Sequence, residues 1–365
     1  MIQHEKYMQR CLELARQGEG KALPNPLVGA IVFDKEGCVA GEGFHEKYGE
    51  AHAEINALDI AGNQAEGGTL YINLEPCFHY GKTPPCIDRI LQSGIKTLVL
   101  GMTDPNPKVA GKSIQKAQDA GIEVVENVLN KECLKLNEIF IKNITEQKPF
   151  AAIKTASTMD GKIATYSGKS KWITSEGARA EVHRLRNKYD AVLTGSGTVM
   201  IDNPSLTCRI ERGRNPVRVV VDSKLIVSKK SRVYKDDGAK IIVATAENIN
   251  NNRKKRYSSN LEILECPLVN GKINLEYLLK KLYEKGICSI MVEAGAGLNG
   301  AFLKQKLADK FYFFLAPKLM ADKTALASFE GLNTENPDQC IRLRFEEIKN
   351  FPPDLMIEGY FDEQA

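Results

Sequence analysis

Histidine is scarce in this chain, with five residues among 365, and no apolar run approaches the ~18 residues needed to cross a bilayer. The amino-terminal residues include an acid and lack the apolar stretch of a signal peptide. Fifty Lys and Arg residues against 46 Asp and Glu residues leave a formal charge of only +4, and the basic residues are scattered. The sequence therefore predicts a soluble, cytoplasmic protein that binds neither membranes nor nucleic acid.

Disulfide bonds are not expected either. The nine cysteines are odd in number and dispersed, and a chain of this length builds a core without covalent staples. Each cysteine is therefore a core residue, a metal ligand or a nucleophile. At ~100 to 200 residues per domain, the length predicts two domains.

The first 146 residues are predicted to form a three-layer α/β domain. Hydrophobic periodicity and turn residues predict helices over residues 5–17, 52–61, 86–93, 114–120 and 131–142, and strands over 27–33, 38–43, 69–74, 97–102 and 122–128. The polar stretch 145–149 is the predicted linker.

A second, larger α/β domain is predicted over residues 147–365. Its predicted strands cover residues 150–157, 191–194, 217–222, 240–244, 289–293 and 310–316, and its predicted helices cover 175–188, 275–284 and 299–305. Residues 248–260 are polar and basic without periodicity, which is typical of a solvated loop or a helix end rather than of a binding patch.

One imidazole and two thiols in the first half have the composition of a catalytic zinc site. His52 begins a predicted helix, Cys77 follows a predicted strand and Cys86 begins another helix. Three such ligands leave the fourth tetrahedral position to water, whose pKa zinc lowers to ~7. Glu54 is then placed to move a proton between that water and a departing amine. Each of these four residues alone is ordinary in a helix start or a core, but together they match the signature of zinc base deaminases.

The residues between the two thiols depart from the commonest form of that signature. Eight residues separate Cys77 from Cys86 instead of two, and His79 and Lys82 within them are donors suited to phosphate. Asn25 lies in a proline-rich turn and can read a pyrimidine edge through its amide. His45 supplies another imidazole near the site.

The second half carries two glycine-rich turns, each after a predicted strand, at residues 195–199 and 295–300. Such turns allow backbone N–H groups to approach a pyrophosphate at a helix N-terminus. A standard Rossmann unit is not expected, since no strand-ending acid follows at the usual distance, and ordinary packing turns are the alternative. Arg186 and Arg209 are candidate phosphate ligands, with a solvated surface position as the alternative.

Longer motifs resemble those of a known family, the bifunctional riboflavin-biosynthesis deaminase/reductases. Those of the first half are Pro24-Asn25-Pro26-x-Val28-Gly29, His52-Ala53-Glu54, Glu75-Pro76-Cys77-x-His79-x-Gly81-Lys82-Thr83-Pro84-Pro85-Cys86 and Asp104-Pro105-Asn106-Pro107. The resemblance implies Zn²⁺ at His52, Cys77 and Cys86, and Glu54 as the proton shuttle. It also implies that the pyrimidine and its ribosyl phosphate are bound by Asn25, His45, His79 and Lys82, with Asp104 and Asn106 beside them.

The second half resembles the reductase of the same family, whose fold is similar to dihydrofolate reductase. The matching motifs are Thr158-Met159-Asp160-Gly161-Lys162, Trp172-Ile173-Thr174, Asp202-Asn203-Pro204-x-Leu206-Thr207-x-Arg209 and Val292-Glu293-Ala294-Gly295. The resemblance implies NADPH bound by Ser157, Trp172, Thr198, Asp202, Ser223, Gly295, Ala296, Gly297, Leu298, Asn299, Gly300 and Ala301. The implied substrate ligands are Ser170, Arg186, Leu206, Arg209 and Glu293.

Hydride addition also needs a proton source. Asp202 or Glu293 can protonate the ring oxygen or polarise an imine, and Lys154 can bind phosphate or tune either acid; the sequence leaves these roles open. Ala294 and Met159 depart from the residues usual in the family, Gly and Leu, which puts the loop geometry in question but not the reaction.

The resulting hypothesis is an enzyme of two activities. Zinc-activated hydroxide would deaminate a diaminopyrimidine ribosylamino phosphate, and NADPH would then reduce the ribosyl group to a ribityl chain. One alternative is another zinc base deaminase joined to an unrelated reductase, and a second is a zinc-stabilised nucleotide-binding regulator. A homo-oligomer, dimer or tetramer, is also predicted.

Overall fold

Two sheets, one in each half of the chain, organise the structure. The computed structural model describes residues 2–78, 84–255, 257 and 261–362. The chain divides into two units, Met1–Gln147 and Lys148–Ala365.

The first unit contains a five-stranded sheet with the order β2-β1-β3-β4-β5. Strand β1 pairs antiparallel with β2 and β3, whereas β3, β4 and β5 are parallel. The strands are β1 (Gly29–Phe33), β2 (Val39–Phe44), β3 (Thr69–Ile72), β4 (Thr97–Leu100) and β5 (Glu123–Val125).

Six α-helices are described in this unit, and a 3₁₀ turn at Gly62–Ala65 follows the second. The helices are α1 (Ile2–Arg16), α2 (Ala53–Ala61), α3 (Cys86–Gln92), α4 (Lys112–Asp119), α5 (Asn130–Leu136) and α6 (Glu138–Glu146). Buried aliphatic side chains of the strands and of α1, α2 and α3 share one core.

Glycines in β1 and β2 bring α1 and α2 against opposite faces of the sheet. A Cβ on Gly29 would lie 2.1 Å from the Cys11 carbonyl oxygen of α1, and one on Gly43 would lie 2.6 Å from the Ala53 carbonyl oxygen of α2. Gly43 pairs with Ala30, the neighbour of Gly29, and successive residues of a strand face opposite sides. The predicted three-layer α/β fold is confirmed.

The single helix predicted over residues 131–142 is wrong, because Asn137 separates α5 from α6. Asn137 has φ −102° and ψ 16°, and its side chain bonds both backbone groups of Leu27. The second helix continues to Glu146, so the predicted linker loses residues 145 and 146 to α6.

The second unit is built on a nine-stranded sheet with the order β11-β10-β9-β8-β14-β6-β15-β18-β17. All neighbours from β11 to β15 are parallel, and β18 and β17 add an antiparallel edge. These strands are β6 (Phe150–Thr158), β8 (Ala191–Gly195), β9 (Val217–Val221), β10 (Ile241–Ala246), β11 (Leu261–Cys266), β14 (Ser289–Val292), β15 (Lys310–Ala316), β17 (Leu343–Phe351) and β18 (Asp354–Phe361).

Because these strands are parallel, their carboxyl ends share one edge of the sheet. α-Helices connect them except between β9 and β10, where a 3₁₀ turn lies in the connection. The helices are α7 (Glu176–Lys188), α8 (Ser196–Asp202), α9 (Asn251–Lys254), α10 (Leu275–Glu284) and α11 (Ala296–Lys304), with 3₁₀ turns at Arg232–Tyr234 and Pro337–Gln339. Two small sheets pair β7 (Lys162–Ala164) with β16 (Leu326–Ala327) and β12 (Leu268–Val269) with β13 (Lys272–Ile273).

The sequence-based prediction missed several elements of this unit. Strand β17 is exposed along most of its length, so its sequence lacks the alternation that marks a half-buried strand. Helix α11 begins at Ala296, three residues before the predicted start. The segment 248–260, predicted as a solvated loop or a helix end, contains the one-turn helix α9; residues 256 and 258–260 lie outside the described part.

Within the described residues, no helix combines the length and apolar character needed to span a membrane.

Candidate zinc and cofactor sites

Three ends of secondary structure bring His52, Cys77 and Cys86 together. His52 immediately precedes α2, Cys86 is the first residue of α3, and Cys77 lies five residues beyond the end of β3. One ligand atom from each residue lies within 4.8 Å of the others.

The distances in this cluster suit a tetrahedral zinc ion. The Nδ1 atom of His52 lies 3.2 Å from the Cys86 sulfur and 3.8 Å from the Cys77 sulfur. Zn–N bonds of about 2.1 Å and Zn–S bonds of about 2.3 Å place tetrahedral nitrogen and sulfur ligands about 3.6 Å apart. The residues therefore fit zinc through His52 Nδ1, with one position left for a further ligand.

The cluster is also electrostatically prepared for a cation. Hydrogen bonding from Cys86 outweighs burial and lowers the pKa of the Cys77 thiol to about 4. The hydrogen bond with Cys77 raises the pKa of the His52 imidazole to about 9. The hydrogen bond to Cys77, together with burial, raises the pKa of Cys86. Of the two thiols, Cys77 therefore ionises more readily, and a metal ion displaces protons from such ligands when it binds.

Glu54 is the second residue of α2 and lies beside the cluster. Its side chain is almost fully buried, with 2% exposure, and burial raises its pKa although the charge of His52 opposes the shift. A carboxylate whose pKa is raised toward neutrality can both accept and return a proton. Its position and its pKa both suit the predicted proton shuttle.

The cluster lies at the wall of a cavity of about 410 Å³, which is within the size range of small-molecule sites. The lining residues expected from the sequence are Asn25, His45, His52, Glu54, Cys77, Asp104 and Asn106. Those that the sequence did not point to include Val28, Tyr48, Glu50, Ile72, Phe140 and Ile144. His79 and Lys82 lie outside the described residues.

His45 fixes the orientation of the Asn25 amide. The Nδ1 atom of His45 lies 3.0 Å from the Ala51 carbonyl oxygen, and a carbonyl only accepts, so Nδ1 carries the proton. Burial lowers the pKa of His45, so the ring is neutral and its Nε2 accepts from the Asn25 Nδ2 atom at 3.1 Å. The amide oxygen of Asn25 thereby remains as an acceptor for a ligand.

Glu75 organises the loop that carries Asp104 and Asn106. Its buried carboxylate accepts hydrogen bonds from the backbone N–H groups of Asp104 at 3.1 Å, Gly111 at 3.0 Å and Ser113 at 3.1 Å. Burying a charge is tolerated only when it is hydrogen-bonded in this way. In the sequence, Glu75 stands out as an acid between a buried strand and the Pro76-Cys77 pair. The backbone N–H groups that it binds begin about 30 residues further along the chain, so the sequence does not reveal them.

Asn73 holds the turn that carries Asn25. It accepts from the Gly29 N–H at 2.8 Å and donates to the Leu27 carbonyl oxygen at 2.9 Å. Asn137, at the break between α5 and α6, accepts from the Leu27 N–H at 2.8 Å. The turn is therefore tied to β3 and to the start of α6.

In the second unit, four parallel strands direct predicted cofactor residues to one edge of the sheet. Ser157 lies near the end of β6, Thr198 in α8 after β8, Ser223 just beyond β9 and Gly295 after β14. A Cβ on Gly295 would lie 3.6 Å from the Thr198 Oγ1 atom. The glycine-rich starts of α8 and α11 are therefore neighbours.

Ser170 and Asp202 are also brought together. The Ser170 hydroxyl donates to the Asp202 carboxylate at 2.5 Å. Trp172, two residues later, is 63% exposed, and the Arg179 guanidinium lies 4.4 Å from the centre of its ring. In the described part of the chain, the hydrogen-bond and ring contacts of Trp172 are with Lys318 and Arg179 rather than with other predicted cofactor residues.

Glu293 joins two of the predicted cations at the end of β14. Its carboxylate accepts from Arg186 at 2.7 and 3.0 Å and from Lys154 at 3.2 Å. Burial alone would raise the pKa of Glu293, but these two cations lower it to about 2. Arg186 also donates to the Thr207 carbonyl oxygen at 2.9 Å. Thr207 follows the buried Leu206 and lies two positions before Arg209, so this bond links Arg186 to the segment that carries both predicted substrate ligands.

Comparisons with known proteins agree with both halves. Residues 1–102 match the cytidine and deoxycytidylate deaminase zinc-binding region, and residues 149–357 match the RibD C-terminal domain. Riboflavin biosynthesis protein RibD of Bacillus amyloliquefaciens is 42% identical over 97% of this chain and 95% of its own, and that of Aquifex aeolicus is 41% identical over 97% of each. The chain belongs to the RibD family.

Solved structures of RibD proteins share the whole fold. The deaminase/reductase of Thermotoga maritima has a TM-score of 0.88 at 40% identity and covers 98% of this chain and 99% of its own. Acinetobacter baumannii RibD has a TM-score of 0.87 at 34% identity over 99% of each chain.

Membership of the RibD family establishes the two activities. The chain is a bifunctional enzyme of riboflavin biosynthesis, with a zinc-binding deaminase domain and a reductase domain that has a dihydrofolate-reductase-like fold and uses NADPH. The predicted fold class, function and cofactors are confirmed.

Proposed function

We propose that this chain acts on the two substrates named for the Thermotoga maritima protein, a diaminohydroxyphosphoribosylaminopyrimidine deaminase and 5-amino-6-(5-phosphoribosylamino)uracil reductase. The first unit, up to residue 146 or 147, would replace an amino group of the pyrimidine by oxygen. The second would reduce the ribosyl group of the deaminated product to a ribityl chain.

The observation that carries the deaminase assignment is the buried Glu54, which lines one cavity together with His52 and Cys77 of the three zinc-type ligands. His52, Cys77 and Cys86 would hold the zinc ion, which supplies the Lewis acidity that makes water nucleophilic at neutral pH. Glu54 would take the proton from that water and give it to the departing amine. Because its pKa is raised, Glu54 is a stronger base toward that water than an exposed glutamate.

Recognition of the pyrimidine is assigned to the side of the cavity that contains Asn25. With Nδ2 bound to His45, the Asn25 oxygen accepts a hydrogen bond from an amino or ring N–H group. Asp104 and Asn106 line the same cavity on the loop that Glu75 holds. His79 and Lys82 keep their predicted phosphate role as part of the proposal.

In the second unit NADPH would supply a hydride, with the predicted cofactor residues along the carboxyl edge of the sheet. Glu293, with its pKa near 2, remains ionised at neutral pH, so it would position Arg186 and Lys154 rather than donate a proton. Asp202, the other acid left open by the sequence, would lie beside the cofactor with the Ser170 hydroxyl bound to its carboxylate. Ser170, Leu206 and Arg209 complete the proposed substrate ligands.

The decisive experiment incubates the purified chain with the diaminopyrimidine substrate, with and without NADPH. Ammonia release and loss of absorbance at 340 nm are followed separately. Ammonia should appear without NADPH, whereas absorbance should fall only with it. Glu54→Gln should lower ammonia release by about 10²- to 10⁴-fold, while NADPH oxidation on the deaminated substrate should persist.

The same assay separates the alternatives. Deamination of a different base alone would favour another zinc deaminase joined to an unrelated reductase. Binding of NADPH without turnover of either substrate would favour a nucleotide-binding regulator.

Location and assembly belong to the same proposal. No disulfide joins the nine cysteines, all of which lie among the described residues. This suits a reducing compartment, and we place the protein in the cytoplasm. A homo-oligomer that binds no nucleic acid remains a prediction, which size-exclusion chromatography with light scattering and a DNA-binding assay would test.

A further inference from the structure

Two exposed cations lie together where β9 and β10 end. Lys224 follows Ser223 in the segment after β9. Arg253 lies in α9, the helix that follows β10. The guanidinium of Arg253 donates to the Lys224 carbonyl oxygen at 2.9 Å. Throughout the described residues neither cation pairs with a carboxylate, whereas the neighbouring Lys254 pairs with Glu265.

The acid at the end of β9 is buried. Asp222 has only 1% exposure, and its Oδ2 atom accepts from the Val227 N–H at 2.9 Å. In sheets that bind NAD, a strand-ending acid takes the ribose 2′-hydroxyl. Here that carboxylate is not accessible to a 2′-hydroxyl, because it is almost fully covered by the protein.

Ser223 is held in place between the acid and the cations. Its carbonyl oxygen accepts from the Ala246 N–H at 3.2 Å and from the Thr245 hydroxyl at 3.3 Å, both at the end of β10. The backbone is therefore fixed where the two strands end, and the half-buried Ser223 side chain lies at the same point.

The sheet order relates these residues to the start of α11. Strand β14, which leads into α11, is followed outward by β8, β9 and β10. Neighbouring strands lie about 4.8 Å apart, so the end of β9 is roughly 10 Å from the end of β14. A cofactor whose pyrophosphate lies at the start of α11 would reach β9 and β10 with its adenosine ribose.

On the basis of the cofactor placement proposed above, we propose that Lys224 and Arg253, with Ser223, bind the 2′-phosphate of NADPH and give the reductase its preference over NADH. Two cations and a hydroxyl suit a phosphate monoester. Asp222, the residue that could favour the 2′-hydroxyl of NADH, is buried and not accessible to it.

Calorimetric titration of the full chain with NADPH, NADH and 2′,5′-ADP tests this assignment without turnover. Lys224→Gln and Arg253→Gln should each weaken binding of NADPH and of 2′,5′-ADP about tenfold, the effect of one charge-assisted hydrogen bond. NADH affinity should stay unchanged. Lys224→Arg should retain most NADPH affinity, and Lys280→Gln, which removes one exposed charge from α10, should behave like the unaltered protein.

Two results would overturn the assignment. One is unchanged NADPH affinity in both glutamine variants, and the other is an equal loss of NADH and NADPH affinity. Failure of the unaltered chain to bind NADPH at all would instead contradict the proposed reductase function, and this assignment with it.

Discussion

Glu54 and Glu293 are both buried glutamates, but their pKa values move in opposite directions. Burial dominates at Glu54 and raises its pKa. Two adjacent cations overcome burial at Glu293 and lower its pKa to about 2. Glu54 therefore takes up a proton more readily than an exposed glutamate does, whereas Glu293 acts as a fixed negative charge.

The Glu293 cluster should make the second unit sensitive to acid. Its pKa is about 2 when folded and about 4.5 when unfolded, so its stabilisation is complete above pH 4.5 and is lost as the pH falls toward 2. The difference corresponds to roughly 3 kcal/mol. Urea unfolding between pH 5 and 2.5 should show a shallower pH dependence for Glu293→Gln than for the unaltered chain. Parallel curves would contradict the predicted linkage.

Asn25 should affect substrate binding more than the chemical step. Asn25→Ala removes one neutral acceptor, so KM for deamination should rise about three- to tenfold with a smaller change in kcat. Steady-state ammonia release measures both constants, and zinc content should stay at that of the unaltered protein. A fall in kcat with constant KM would argue against a role in recognition.

At the scale of elements, close glycine contacts determine where the ligand-bearing helix begins. Gly43 lies under the first turn of α2, the helix that begins directly after His52. A Cβ on Gly43 would come within 2.6 Å of backbone atoms of Ala53 and Ala57. No flexible side chain can move aside at this contact, so a larger residue must displace the helix itself.

Gly43→Ala should therefore weaken zinc binding and lower stability together. We expect a loss of about 1–3 kcal/mol in unfolding free energy, as for other overpacked sites, and a lower zinc affinity in chelator competition. Gly177→Ala is the matched control, because its Cβ in α7 would meet only Phe351 at 4.0 Å. Normal zinc affinity in Gly43→Ala would show that the helix start tolerates displacement.

The elements differ in how far the sequence could predict them. Helix α10 and strand β15 have the predicted bounds, 275–284 and 310–316, because one presents a regular apolar face and the other is a continuous apolar run. The break at Asn137 depends on Leu27, 110 positions away, and no local pattern reveals it. Likewise, the spacing of His52, Cys77 and Cys86 indicated the metal ligands, but nothing in the sequence marks Phe140 and Ile144 as cavity residues.

At the scale of the whole molecule, the two units have separate cores and separate candidate sites. Within the described residues, each sheet is completed by strands of its own unit, and the residues that line the cavity beside the candidate zinc ligands belong to the first unit. The two reactions should therefore respond separately to perturbation.

Removal of zinc should separate the two activities. After dialysis against a chelator, ammonia release should be abolished, while NADPH oxidation on the deaminated substrate should keep its rate. Ammonia release should return on addition of Zn²⁺. Equal loss of both activities would show that the second unit depends on the metal.

The position of α6 limits how this enzyme can be divided. The match to the deaminase zinc-binding region ends at residue 102, but Asp104, Asn106, Phe140 and Ile144 also line the cavity, and Asn137 anchors the turn of Asn25. A fragment ending at residue 102 would retain the metal ligands and lose one wall of the substrate pocket. The smallest independent deaminase module must therefore extend to the end of α6, so any natural or engineered fission of the two activities should occur after residue 146.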